Sequence, residues 1–106
     1  MTNVIKLQTE GVTFEDFWQR FPASRRGSKP LAMAKWKAIT NGGLTTNMKD
    51  NDSGQFVEVF LEATPEEILA GLKEYIKQRT DPETYKVETK FFALASTFLN
   101  RGYWMQ

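Results

Sequence analysis

The sequence predicts a mainly α-helical domain: about four helices in a small bundle, with a short β-hairpin or single strand inserted between helices two and three. Three observations predict it. Apolar residues recur at helical spacing in four stretches, and capping residues, prolines or glycines bound those stretches. Between the second and third, a dense turn signal is followed by an aromatic and β-branched run. The 106 residues suit one core, so residues 12–106 are expected to form a single compact helical domain and residues 1–11 a leader or edge strand.

The first helix starts at Thr13, which can cap it with Asp16 three positions on, while Val12 and Phe17 occupy the positions of a hydrophobic staple. Phe14, Phe17, Trp18 and Phe21 fall on one stripe, and Pro22 stops the run. A polar connector over residues 23–28 leads to a second helix over residues 29–41, with Pro30 in its first turn and Gly42 and Gly43 at its end. Ala32, Met33, Trp36 and Ile39 share its core face. Residues 50–54 read as a turn and residues 55–61 as a strand, the return arm of a hairpin if residues 44–49 supply the first arm. Thr64, Pro65, Glu66 and Glu67 open the third helix with an N-cap, a first-turn proline and two carboxylates at the positive end of the dipole. Ile68, Leu69, Leu72, Tyr75 and Ile76 form its apolar face, and Asp81 and Pro82 break it. A fourth helix is expected over residues 88–100, with Phe91, Leu94, Ala95 and Phe98 facing inward, before Gly102 and a terminal Tyr103–Trp104 pair.

Composition narrows the chemistry. With neither Cys nor His, the chain has no disulfide, thiolate nucleophile, imidazole base or ordinary zinc site. Asp50, Asp52 and Gly54 resemble the start of a calcium loop, but Gly54, Gln55 and Leu61 stand where that loop needs oxygen, glycine and glutamate, so a solvated turn is the better reading. Glu58, Glu62, Glu66 and Glu67 suit a strand and a helix start, and Ser28, Ser53 and Ser96 lack a histidine to activate them. No phosphate-loop motif follows Gly43. The expectation is a non-enzyme without cofactor, metal or evident small-molecule substrate. No apolar run reaches the roughly 20 residues of a membrane span, so a cytoplasmic protein without a membrane partner is expected.

The near-neutral total of +1 conceals a polarised chain. Residues 1–49 hold eight bases against three acids, a net +5, and residues 50–106 hold six against ten, a net −4. No acid lies between Phe17 and Met48, whereas Arg20, Arg25, Arg26, Lys29, Lys35 and Lys37 do. Spread over a helix end, a connector and a helix, these six can track a phosphate backbone and are the candidate nucleic-acid-binding residues; a solvated face explains the charge run equally well. The aromatic spacing indicates core, with Tyr103 and Trp104, at the chain end, the candidates for binding a partner.

Phe14, Phe17, Trp18, Phe21 and Pro22, then Arg25, Arg26, Lys29, Ala34 and Trp36, open a pattern that continues through residues 63–68 (ATPEEI), Gly71 and Tyr75 and closes with residues 95–104 (ASTFLNRGYW). In this order the chain resembles the C-terminal module of phage and plasmid replication proteins, of the replisome-organiser or helicase-loader-associated type. The resemblance implies a phage or mobile-element DNA-replication accessory module in a bacterial cytoplasm, with Arg25, Arg26 and Lys29 contacting DNA phosphates or a replication protein. The alternative is a phage-encoded protein-binding adaptor or inhibitor of a host complex, acting through the acidic 50–88 region and the terminal aromatics.

Overall fold

A computed structural model describes residues 11–90 and 92–105. The expected leader or edge strand therefore lies, apart from Gly11, outside the described residues, as does Phe91 of the expected fourth-helix face.

Helix α1 (Phe14–Arg20) begins as the sequence dictates: the Thr13 hydroxyl accepts from the Asp16 amide, and the Asp16 carboxylate accepts in return from the Thr13 amide. A single 3₁₀ turn over Ala23–Arg25 follows Pro22. In α2 (Lys29–Thr40) the Ser28 hydroxyl accepts from the Leu31 amide, and Ala32, Trp36 and Ile39 are buried. Helix α3 (Pro65–Gln78) carries a second reciprocal cap, Thr64 with Glu67, and buries Ile68, Leu69, Leu72 and Tyr75. Helix α4 (Ala95–Asn100) leads into a final 3₁₀ turn, Tyr103–Met105.

Between α2 and α3, strands β1 (Leu44–Lys49) and β2 (Phe56–Leu61) pair antiparallel along their whole length, from Leu44 opposite Leu61 to Lys49 opposite Phe56. Asp50 fixes the turn: its backbone accepts from Gly54, and its carboxylate oxygens accept from the Asp52 amide and the Ser53 hydroxyl. Both carboxylate oxygens are therefore engaged in turn bonds, which is the work of a structural turn residue.

Two expectations are corrected. The fold is a small α+β fold and not a mainly α bundle, because the segment over residues 44–49 is a full strand rather than a marginal arm. The alternation of Leu44, Thr46 and Met48 with Thr45, Asn47 and Lys49, locked by the Asp50 turn, outweighs the absence of a long apolar run. The fourth helix starts at Ala95 instead of near residue 88. Val87 bridges to Thr80, and the Glu88 amide donates to the Arg79 carbonyl. Beyond them, Phe92 and Ala93 have backbone groups bonded by side chains: the Phe92 carbonyl accepts from Arg25 and the Ala93 amide donates to the Tyr75 hydroxyl. Side-chain partners stabilise a backbone that helical periodicity alone would have coiled.

The core is aromatic at its centre. Phe17 contacts Phe21, Trp36 and Phe98, while Phe92 meets Phe21 and Tyr75 edge-on. Truncating any of the fully buried Phe17, Phe21, Phe92 or Phe98 to alanine should cost about 3–5 kcal/mol. Leu61 and Ala63 anchor the hairpin base in this core. Along β2 burial fades from Leu61 through Val59 to Val57, so the hairpin projects from the helical body toward its tip.

Candidate interaction surfaces

The six basic residues expected to form one surface have separate fates. Arg25 donates from Nε to the Phe92 carbonyl at 2.8 Å and is half-buried. Arg26 closes the end of α1, donating from Nε to the Phe21 carbonyl and from a terminal nitrogen to that of Gln19, both at 3.1 Å. Lys29 pairs with Glu15 at 3.0 Å, and its ammonium lies 5.9 Å from the centre of the Trp18 ring. Arg20 is exposed at the last position of α1. Lys35 and Lys37 are two positions apart on a helix and so point about 200° from each other. Lys35 lines a cleft between α2 and α4, whereas Lys37 is exposed elsewhere on the helix. Three of the six are thus committed to carbonyls or a carboxylate, and two others diverge.

The anionic partners in this region have structural tasks too. Glu15 is held below its ordinary value of 4.5 by the Gln19 amide first and by Lys29 second. Asp16 is held below 3.8 by the Thr13 amide and then the Thr13 hydroxyl.

Tyr103 and Trp104 do not form an exposed pair. Trp104 is 7% exposed and packs against Phe98; Tyr103 stacks on Tyr75 and meets Phe98 edge-on. Their backbone lies so close to α3 that a Cβ placed on Gly71 would sit 2.3 Å from the Trp104 carbonyl oxygen. The bare glycine is what lets the terminal turn close onto the helix.

Three exposed apolar residues lie together on the hairpin. Phe56 is 70% exposed, Phe60 60% and Val57 44%. Opposition in the ladder puts Phe56, Glu58 and Phe60 on one face with Lys49, Asn47 and Thr45. The Phe60 ring covers Gly43, which has φ of +113° and no room for a Cβ. Among the described residues Phe56 makes no ring contact, and neither strand is paired along its outer edge. The sequence carried the signal: in β2 both alternating sets, Phe56 with Phe60 and Val57 with Val59 and Leu61, are apolar, although a two-stranded sheet can bury only one face.

No protein family, no curated protein and no solved structure matches this chain. Among the described residues no helix is long and apolar enough to cross a membrane.

Proposed function

We propose that this chain is a non-catalytic protein-binding adaptor whose recognition element is the β1–β2 hairpin. The carrying observation is the pair of exposed phenyl rings, Phe56 and Phe60, on a strand whose outer edge is unpaired among the described residues. An extended partner segment can add along such an edge through main-chain hydrogen bonds, its alternate side chains covering the rings. Charge selects the segment. Asp50, Asp52, Glu58 and Glu62 lie on or beside β2, with Lys49 the base across the ladder, so the favoured partner strand alternates apolar and basic residues. Two copies pairing β2 to β2 would bring these acidic flanks together, which disfavours self-association.

The resemblance to replication modules makes a replication protein of a bacterial host or mobile element the partner class within this proposal. DNA contact through Arg25, Arg26 and Lys29 receives less support, because each already has a partner.

Selection from a random extended-peptide display library tests the proposal. Enriched peptides should alternate apolar and basic residues, protect β2 amides from hydrogen exchange, and lose binding to Phe56→Ser. Enrichment of acidic sequences, or binding indifferent to Phe56→Ser and Phe60→Ser, overturns it; a dimer in light scattering would replace the partner by a second copy.

A further inference from the structure

A cleft of about 310 Å³ between α2 and α4 is lined by Leu31, Lys35, Ser96, Thr97, Asn100 and Arg101. We infer that it binds a phosphoryl group, independently of the hairpin.

Helix geometry brings these residues together. Leu31 and Lys35 are one turn apart on α2; Ser96 and Asn100, and likewise Thr97 and Arg101, are one turn apart on α4 and its C-terminal cap. No carboxylate lines the cleft. Among the described residues, the lysine and the arginine have no ion-pair partner, and the side chains of Ser96, Thr97 and Asn100 make no hydrogen bond. That contrasts with polar side chains at or just beyond the ends of α2 and α3. The Thr40 and Thr80 hydroxyls donate to the carbonyls four positions back, at 2.8 and 2.7 Å, and Asn41 donates to Lys37. Arg101 alone could be read as a cation offsetting the negative end of α4, but Lys35 stands on the facing helix and that reading leaves it unexplained.

Two cations, two hydroxyls and a carboxamide around one opening supply more donors than a carboxylate, with two oxygens, can use. A phosphate monoester or diester matches them better, because it spreads charge over more acceptor oxygens. Leu31, 48% exposed at the rim, offers an apolar surface to the esterified group. The volume suits one phosphoryl group with part of its substituent and sits at the lower end of the small-molecule range of about 300–1,000 Å³. The phosphoryl group can belong to a small ester or to a nucleic-acid backbone; the chemistry in the cleft is the same.

The full chain should be titrated by amide NMR, at constant ionic strength, with inorganic phosphate, a nucleoside monophosphate and a single-stranded oligonucleotide. Resonances of residues 31–35 and 96–101 should shift together, and Lys35→Gln and Arg101→Gln should each weaken binding about tenfold, the loss of one charge-assisted hydrogen bond. Both variants should retain the thermal unfolding of the parent chain, since neither side chain bonds to the fold. The monophosphate saturating as readily as the oligonucleotide, per phosphate, identifies a small ester as the ligand, and a markedly tighter oligonucleotide identifies a backbone phosphate. Absence of shifts in the cleft with all three probes, or shifts that persist in both variants, overturns the inference.

Discussion

Arg25 Nε–H donates to the carbonyl oxygen of Phe92 over 2.8 Å, joining the turn after α1 to the non-helical residues before α4 across 67 positions of sequence. The carbonyl belongs to a fully buried phenylalanine, so few alternative donors can reach it.

Arg25→Ala should therefore destabilise the fold by about 1–3 kcal/mol, the range for losing a charge-assisted bond and stranding its acceptor. Arg25→Lys should recover only part of this, because a flexible ammonium lacks the fixed guanidinium geometry. Urea midpoints measure both. An unchanged midpoint in Arg25→Ala would show that the residue is available for an external ligand after all.

Gly71→Ala tests the closure of the C-terminal turn. Its new methyl would lie 2.3–2.5 Å from the Trp104 carbonyl oxygen, Cα and Cβ, atoms whose positions the backbone fixes. Alanine normally favours a helix interior over glycine by about 1 kcal/mol, so a net loss of stability would isolate the steric conflict. The expected result is destabilisation by about 1–3 kcal/mol, the usual cost of overpacking, with a red shift of tryptophan emission as Trp104 is exposed. A stabilised variant with unchanged emission would mean that the turn does not pack here.

The helix starts and most core positions were legible in the sequence because they depend on local chemistry. Thr13 with Asp16 and Thr64 with Glu67 close their own caps within four residues. Phe14, Phe17 and Trp18 fall on the buried side of α1 by spacing alone. What escaped depends on partners far apart in the chain. The non-helical course at Phe92 and Ala93 is fixed by Arg25 and Tyr75, and neither lies nearby in sequence. For the same reason the basic stretch was only partly legible: residue type gives Arg25 and Arg26 their charge, but only the fold reveals the carbonyls that bind them. The seat of Trp104 was not legible because nothing in its own neighbourhood announces Gly71, 33 positions earlier and lying under its backbone. Arg101 of the cleft escaped because it lies far along the chain from Lys35 and shows no motif with it.

The acid limb of stability should carry the mark of the first helix. Asp16 has a folded value below its ordinary 3.8, chiefly through the Thr13 amide, and Glu15 one below 4.5, chiefly through Gln19. A depressed folded value stabilises the native state above the unfolded value, and that contribution disappears as pH falls through the folded one. These two groups therefore add a constant amount from pH 7 to 5, and their contribution declines only below their ordinary values. Urea midpoints followed from pH 7 to 2 should show a smaller acid-dependent loss in Asp16→Asn than in the parent chain. Equal acid limbs would mean that the capping carboxylate titrates alike in folded and unfolded chains.

Tyr85 occupies the left-handed region, with φ of 59°, in the tight turn between Thr80 and Val87. The turn is closed by the Tyr85 amide donating to the Asp81 carbonyl at 2.8 Å and the Asp81 amide donating to Lys86 at 2.9 Å. For a bulky residue the left-handed conformation costs about 1–2 kcal/mol, and glycine adopts it without that cost. The side chain returns little to the fold, being 82% exposed. Tyr85→Gly relieves the strain but gains freedom in the unfolded chain, so its net effect should be a stabilisation of about 0.5–1 kcal/mol. Tyr85→Ala, which retains a Cβ in the same conformation, should lie close to the parent. The contrast between the two substitutions separates backbone strain from side-chain contact: if glycine destabilises and alanine does so equally, the phenol ring has a packing role and the strain argument is wrong. If glycine alone stabilises, the tyrosine is retained against the preference of the backbone, and its exposed ring becomes a second place to look for the adaptor's partner.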